Sequence, residues 1–163
     1  MIPDTAMLVA RESTSPYAPV DIAKNTVAAN GMSWFEFCQV KCNVPYYFEF
    51  RHRNHIKTWT ASALLYDCEL PYNFTNNITK AFGNNMVFVP ADAGGGGGYA
   101  FFTSDVNQDD VVDLTDCGDI DNDAFNFTTG YVVTDVNGDE VVDLTDLGYC
   151  DNNSANFVSV IAP

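Results

Sequence analysis

The last 59 residues of this chain contain no lysine and no arginine. They hold fourteen of its 22 acidic residues, so nearly all of the net charge of -15 lies in residues 105–163. Nucleic acids and anionic membranes are bound mainly through Lys and Arg, and the absence of both argues against such partners. A solvated acidic tail is not expected either, because Val, Leu, Phe and Tyr recur through the segment. We expect cations to be its partners.

Long apolar runs are missing as well. No stretch reaches the roughly 18 apolar residues of a membrane-spanning helix, so no membrane span is expected. The opening "MIPDTAMLVARESTS" lacks the basic start and the apolar run of a signal peptide. The chain is therefore either not secreted or secreted with its leader already removed.

The first ninety residues are typical of short strands. In "VPYYFEFRHR" and "MSWFEF" aromatic and polar residues alternate, which is the period of half-buried strands. Turn sequences such as "ANGM" and "FGNN" separate these runs, and no helical period intervenes. The prediction is a mainly β chain with an antiparallel β-sandwich of about six or seven strands over residues 1–90. Residues 91–100 contain five consecutive glycines and are predicted to be a linker or loop before a second module, residues 101–163.

The runs "VDIAKNTVAANGMSWFEF" and "VPYYFEFRHRNHIKTWTA" resemble the transthyretin-like, or prealbumin-like, sandwiches that accompany secreted bacterial proteins. That resemblance implies a strand after the NG turn and an aromatic "YYFEF" strand in the core. It implies no enzymatic site.

The acidic segment is an internal repeat. "DVNQDDVVDLTD" returns thirty positions later as "DVNGDEVVDLTD", and residues 101–130 and 131–160 match at fifteen of thirty positions. The oxygen-bearing positions have the spacing 1, 3, 5, 7, 9 and 12 of a twelve-residue calcium loop, in which position 7 supplies a backbone carbonyl. The sequence therefore predicts two Ca²⁺ ions, held by Asp105, Asn107, Asp109, Val111, Asp113 and Asp116 and by Asp135, Asn137, Asp139, Val141, Asp143 and Asp146.

With "VVDLTDL" leading into a helix, residues 103–160 resemble the paired calcium loops of type I dockerin modules. The resemblance implies a short helix after position 9 of each loop, with Leu114 or Leu144 facing the core. It also implies partner-reading residues at positions 10 and 11, which are Leu114, Thr115, Leu144 and Thr145. Position 6 departs from the family, because Asp110 and Glu140 stand where Gly is expected. Metal binding and folding should be coupled, so we expect chelation to unfold residues 105–160 and leave the sandwich folded.

The five cysteines form no C-x-x-C pair that would indicate zinc. Cys117 and Cys150 lie in the two predicted helices, and antiparallel packing would bring them together. Cys38, Cys42 and Cys68 allow one more disulfide, so at least one thiol stays free.

No catalytic set is apparent. His52 and His55 lie in a basic cluster, but residues three apart on one strand point to opposite faces, so shared metal binding is not expected. No nucleophile motif such as G-x-S-x-G occurs, and we expect a protein that is not an enzyme. Candidate glycosylation sites are Thr5 in a "DTA" signal and the N-x-S/T sequons at Asn73, Asn77, Asn126 and Asn152.

Taken whole, the chain resembles the C-terminal part of secreted bacterial surface proteins, which implies an extracellular or cell-surface location. The first hypothesis is a calcium-stabilised structural subunit of a surface assembly or filament, binding copies of itself or another surface protein, with the apolar ends "TAMLVA" and "FVSVIA" as candidate added strands or as intramolecular edge strands. The second is a docking module for a cohesin-like partner. The third is a carbohydrate-binding module that stacks sugars on Trp34, Trp59 and Tyr47.

Overall fold

The computed structural model describes residues 3–90 and 97–163. The chain is mainly β, with antiparallel sheets and two α-helices, as the sequence predicts. The strands are β1 (Asp4–Glu12), β2 (Pro19–Val27), β3 (Val44–His52), β4 (His55–Trp59), β5 (Leu64–Tyr66), β6 (Val87–Val89) and β7 (Gly98–Ala100). The α-helices are α1 (Leu114–Phe125) and α2 (Leu144–Ala155), and the short 3-10 helices are Ile78–Lys80 and Phe82–Asn84.

Five strands form one antiparallel sheet in the order β2-β1-β3-β4, with β5 also paired to β3. The alternation in "YYFEF" places Tyr46 and Phe48 on the buried face of β3, where they pack with Ala10 of β1. Strands β6 and β7 form a separate two-stranded sheet. Strand β1 carries the apolar end "TAMLVA" and lies between β2 and β3, so this end is an inner strand of its own sheet.

The predicted strand "MSWFEF" is wrong, because this segment is irregular in the structure. The carboxylate of Asp21 on β2 accepts the backbone N–H groups of residues 38 and 39, at 2.6 and 2.7 Å. Such side-chain bonds offer the backbone an alternative to a sheet ladder. Apolar side chains of this segment pack individually on the sheet instead. Phe37, for example, contacts Phe48 with ring centroids 5.7 Å apart.

The last three residues of the predicted glycine-rich linker form a strand instead. Residues 98–100 belong to β7, whose register with β6 pairs Val87 with Ala100. The Tyr99 N–H also donates to the Thr75 carbonyl, at 2.9 Å. Residues 91–96 of the predicted linker lie outside the described residues.

Both helices begin directly after position 9 of their loops. Asp113 and Asp143 are the N-caps, each in a capping box with the carboxylate three residues later. The prediction that Leu114 and Leu144 face the core is wrong, since their side chains are 80% and 76% exposed. The buried face of α1 is carried by Cys117 and Ile120. Leu114 lies roughly 100° around the helix from the centre of that face, because each residue advances the helix by about 100°.

The sheet and the C-terminal module share one hydrophobic cluster. Ile56 of β4 is completely buried among module residues that include Val106, Val136 and Val158. A hydrogen bond also joins the sheet to the module, because the Ile56 N–H donates to the Phe102 carbonyl at 3.0 Å. The end of the β3–β4 hairpin is therefore part of the module's core. Within the described part of the chain, no helix is long and apolar enough to cross a bilayer.

Candidate metal centre

Position 12 closes both loops in the same way. One oxygen of Asp116 accepts the N–H groups of Val106 and Asn107, at 2.9 and 3.2 Å, and the other accepts the Asp113 N–H at 3.0 Å. The repeat-related Asp146 makes the equivalent three bonds at 2.9, 3.1 and 3.0 Å. Both carboxylates are fully buried, and burial raises the pKa of Asp146. The two copies of the sequence thus fold into the same local structure.

Position 9 is a helix cap in each loop. Asp113 accepts the Thr115 N–H at 2.7 Å, and Asp143 accepts the Thr145 N–H at 2.6 Å. The Thr145 N–H lowers the pKa of Asp143. The two threonines, which are candidate partner-reading residues, lie in the first turn of each helix and are exposed.

Position 1 differs between the loops. Asp105 is completely buried, and its Oδ1 accepts the Asp109 N–H at 3.1 Å. Its Oδ2 has no hydrogen-bond partner among the residues that the structure describes. Burial, followed by the nearby charges of Asp116 and Asp109, raises the pKa of Asp105 to about 6. Asp135 instead accepts three backbone N–H groups, from residues 138, 139 and 140. An orphaned buried carboxylate oxygen is costly, and a bound cation would satisfy it.

Position 6 adopts the left-handed conformation although neither residue is Gly. The φ angle is 79° at Asp110 and 70° at Glu140. This conformation costs a non-Gly residue on the order of 1 kcal/mol. The Asp110 carboxylate also forms an ion pair with Lys57 of β4, so in the first loop this position contacts the sheet.

The remaining loop oxygens interact with one another and with the backbone. Asn107 donates to Asp109 at 3.1 Å, and Asn137 donates to Asp139 at the same distance. Among residues 3–90 and 97–163, no cluster of three or more His, Cys, Asp or Glu side chains has the arrangement of a metal centre. The donor set still consists of oxygens alone, which suits a hard cation such as Ca²⁺.

The turn of the β3–β4 hairpin lies between the two loops, which the sequence reasoning missed. The Asn54 side chain is buried and donates to the carbonyls of Val133 and Asp135, at 3.2 and 2.9 Å. The backbone carbonyl of Asn54 accepts the Ser104 N–H at 2.7 Å. The apolar pattern gives no sign of this, because the turn residues are polar. Asn54 between two strand-like runs could have indicated the turn, although not its docking against the loops.

The prediction that His52 and His55 point to opposite faces is wrong. Arg53 and Asn54 form the turn, so the two histidines are cross-strand partners, with their ring centroids 4.5 Å apart. The error has a simple origin, since the period of two applies within a strand and not across a turn.

The structure pairs Cys117 with Cys150, between α1 and α2, and Cys42 with Cys68. Cys38 is an exposed free thiol. The glycosylation candidates are spread over the fold: Thr5 lies in β1, Asn73 is exposed in an irregular segment, Asn77 caps the 3-10 helix Ile78–Lys80, Asn126 ends α1, and Asn152 lies within α2.

The three candidate sugar-stacking residues do not form one exposed surface. Trp59 is buried beneath Arg11 and contacts Tyr47 edge to face, with ring centroids 6.2 Å apart. Trp34 is exposed in the irregular segment beside β2.

Comparison with known proteins adds no assignment: no family model matches the chain, and no curated protein and no solved structure is significantly similar to it.

Proposed function

We propose that this chain is a non-enzymatic, extracellular, calcium-binding structural protein that serves as a subunit of a bacterial surface assembly. The observation that carries the proposal is the pair of repeat-related oxygen-lined loops, 105–116 and 135–146. Their position 12 carboxylates accept equivalent backbone N–H groups, and both loops contribute to the core shared with the sheet. In this proposal the β-sheet half is a transthyretin-like sandwich and the second half a dockerin-like module. Calcium would hold the two loops in one conformation.

Three features support calcium in particular. All side-chain donors of the loops are carboxylate or amide oxygens, which hard cations prefer. The Asp105 Oδ2 atom is buried and has no hydrogen-bond partner within residues 3–90 and 97–163. The module has fourteen acids and no Lys or Arg, so two divalent ions would remove much of its internal repulsion.

The proposed assembly depends on surface contacts rather than on strand exchange. Strand β1 is already paired on both sides along much of its length. The C-terminal "FVSVIA" is also used internally, since the carbonyl of Val158 accepts the Val112 N–H and the Val160 N–H donates to the Asp110 carbonyl. Both apolar ends thus have intramolecular partners.

Calorimetric titration of the chelated full-length chain with Ca²⁺ tests the proposal. We expect two equivalents for the parent chain and the loss of one in Asp105→Asn or Asp135→Asn. Asp119→Asn is the matched control, because it removes the same charge from an exposed helix position outside both loops. Full binding by Asp105→Asn, or no saturable binding by the parent, would contradict the calcium site. Electron microscopy of the calcium-loaded protein tests the assembly separately.

A second candidate function is a docking module, and it is favoured by two open apolar grooves related by the repeat. One is lined by Phe127, Val141 and Leu144, and the other by the equivalent residues of the opposite copies, Phe157, Val111 and Leu114. Phe127 and Phe157 are 86% and 87% exposed. Duplicated apolar surfaces of this kind are typical of interaction sites. A calcium-dependent pull-down from native cell-surface extract, lost in Phe127→Ser and Phe157→Ser, would favour this function over a homopolymer.

A further inference from the structure

The two histidines of the chain meet at the end of the β3–β4 hairpin. The Nδ1 atoms of His52 and His55 are 2.7 Å apart, and the Asn54 Oδ1 atom is 3.0 Å from the His52 Nδ1. Both rings are half-buried, and the site is lined by nitrogen and amide oxygen rather than by the carboxylates of the calcium loops. Nothing in the calcium proposal uses these three groups.

The neighbours fix which atoms can donate. The His52 Nε2 atom is 2.9 Å from the Asp4 carboxylate, which accepts its proton and leaves the Nδ1 of the neutral ring as an acceptor. The Asn54 amide has one orientation, because its Nδ2 donates to the carbonyls of Val133 and Asp135. Its Oδ1 therefore faces the His52 Nδ1, so that two acceptor atoms are in contact.

A proton on His55 resolves only part of this conflict. If the His55 Nδ1 carries a hydrogen, it can donate to the His52 Nδ1, but the Asn54 oxygen still faces a lone pair. Burial lowers the pKa of His52, against the Asp4 carboxylate and the Asn54 oxygen, which favour its charged form. Burial and the nearby His52 and Arg53 also lower the pKa of His55, to about 3. Lowered pKa values favour the neutral rings, which are the form that binds metals.

We propose that His52 Nδ1, His55 Nδ1 and Asn54 Oδ1 form a binding site for a divalent transition-metal ion of the Zn²⁺ or Cu²⁺ type. Imidazole ligands select these ions over Ca²⁺ and Mg²⁺, so the site is chemically distinct from the calcium loops. Asp4 is a positioning residue that orients the His52 ring from its far side, as a carboxylate commonly does for a metal-bound imidazole.

The geometry requires a small adjustment. With metal–nitrogen bonds of about 2.0–2.1 Å and tetrahedral angles, the two Nδ1 atoms would be about 3.3 Å apart, somewhat wider than in the structure. The His52 side chain is 11% exposed, and water would complete the coordination. The positive charge of Arg53 is balanced by its contact with the Asp4 carboxylate at 2.9 Å.

Titration of the full-length chain with Zn²⁺ and with Cu²⁺ tests the site, with millimolar Ca²⁺ present to occupy the acidic loops. We expect one equivalent of each ion and an electron paramagnetic resonance spectrum of bound Cu²⁺ that shows two coupled nitrogens. His55→Ala should leave one coupled nitrogen and weaken Zn²⁺ binding at least about tenfold. Asp4→Asn should keep both nitrogens but weaken binding by about 10- to 100-fold, the usual effect of losing an orienting carboxylate. Asp119→Asn should change neither result.

Oxygen-only Cu²⁺ coordination, or equal Zn²⁺ affinity in the parent and in His55→Ala, would overturn the proposal. A His52 imidazole that titrates above pH 7 and does not respond to Zn²⁺ would do the same, because a proton would then resolve the contact with Asn54. Thermal melts of each variant in Ca²⁺ identify any that fail to fold. If His55→Ala does, His55→Gln provides a second test with a polar side chain of similar length.

Discussion

Replacing Ile56 tests whether the sheet and the C-terminal module unfold as one unit. Ile56 belongs to β4 but is completely buried in the core of the module. Ile56→Ala removes three carbon atoms, worth about 2.4 kcal/mol of transfer free energy at about 0.8 kcal/mol each. The cavity left behind adds to this, giving a total of about 3.5 kcal/mol. Ile56→Val, the matched control, should cost about 1 kcal/mol.

The chain offers one spectroscopic probe for each half. Both tryptophans, Trp34 and Trp59, lie in the sheet half, and both α-helices lie in the module. Urea unfolding followed by tryptophan fluorescence therefore reports on the sheet, and circular dichroism at the helix band reports on the module. With a slope of about 2 kcal/mol per molar urea, Ile56→Ala should lower both midpoints by about 1.7 M, and Ile56→Val should lower both by about 0.5 M.

The shared core also changes the expectation for chelation. The sequence predicts that the sandwich stays folded when the loops lose calcium, whereas the buried contact of Ile56 predicts that tryptophan fluorescence and helix signal shift together. If Ile56→Ala shifted the fluorescence midpoint and left the helix transition in place, the two halves would be independent and this reasoning would be refuted.

Three further predictions concern the disulfide between the helices, the acid stability of β2 and the glycosylation sites. Replacing both Cys117 and Cys150 by Ala removes a disulfide between residues 33 apart. The protein should lose about 4 kcal/mol of stability, because the unfolded chain gains loop entropy; urea unfolding measures the loss, with Cys38→Ala as the control. Asp21 has a lowered pKa, chiefly because it accepts the N–H of residue 39. Its contribution is therefore present above pH 4 and lost as the pH falls through the folded-state pKa, so Asp21→Asn should flatten the acid dependence of the urea midpoint. In a host that glycosylates asparagine, mass spectrometry should find glycan at Asn73, which is exposed in an irregular segment, and not at Asn152 within α2; glycan at Asn152 would contradict this.

The accuracy of the sequence predictions follows the range of the interactions involved. The helices after Asp113 and Asp143, which the dockerin resemblance implies, are present, and each is stabilised locally by a capping box. The strand containing "YYFEF" was predicted correctly because its alternation matches burial on one face of a sheet.

The errors arose where the outcome depended on distant residues. "MSWFEF" alternates like a strand, but Asp21 on β2 binds the backbone just beyond it, and Phe37 packs on the sheet without a ladder. The same limit applies to the candidate site. Loop spacing gives the ligand positions, but the docking of Asn54 between the loops depends on contacts some eighty residues apart, which no local pattern encodes.

The two nearly identical loops are not equivalent in the structure. Position 4 of the first loop is Gln108, whose side-chain amide donates to the backbone carbonyl of Asp105. Position 4 of the second loop is Gly138, whose backbone N–H donates to the Asp135 Oδ1 atom. Position 6 of the first loop is held by Lys57 of the sheet. Among the described residues the Asp105 Oδ2 atom has no hydrogen-bond partner, whereas the Asp135 Oδ2 atom accepts the Glu140 N–H at 3.1 Å. A cation therefore has more to stabilise in the first loop, and since that loop contacts β4 directly, calcium there would act on the sheet as well as on the module.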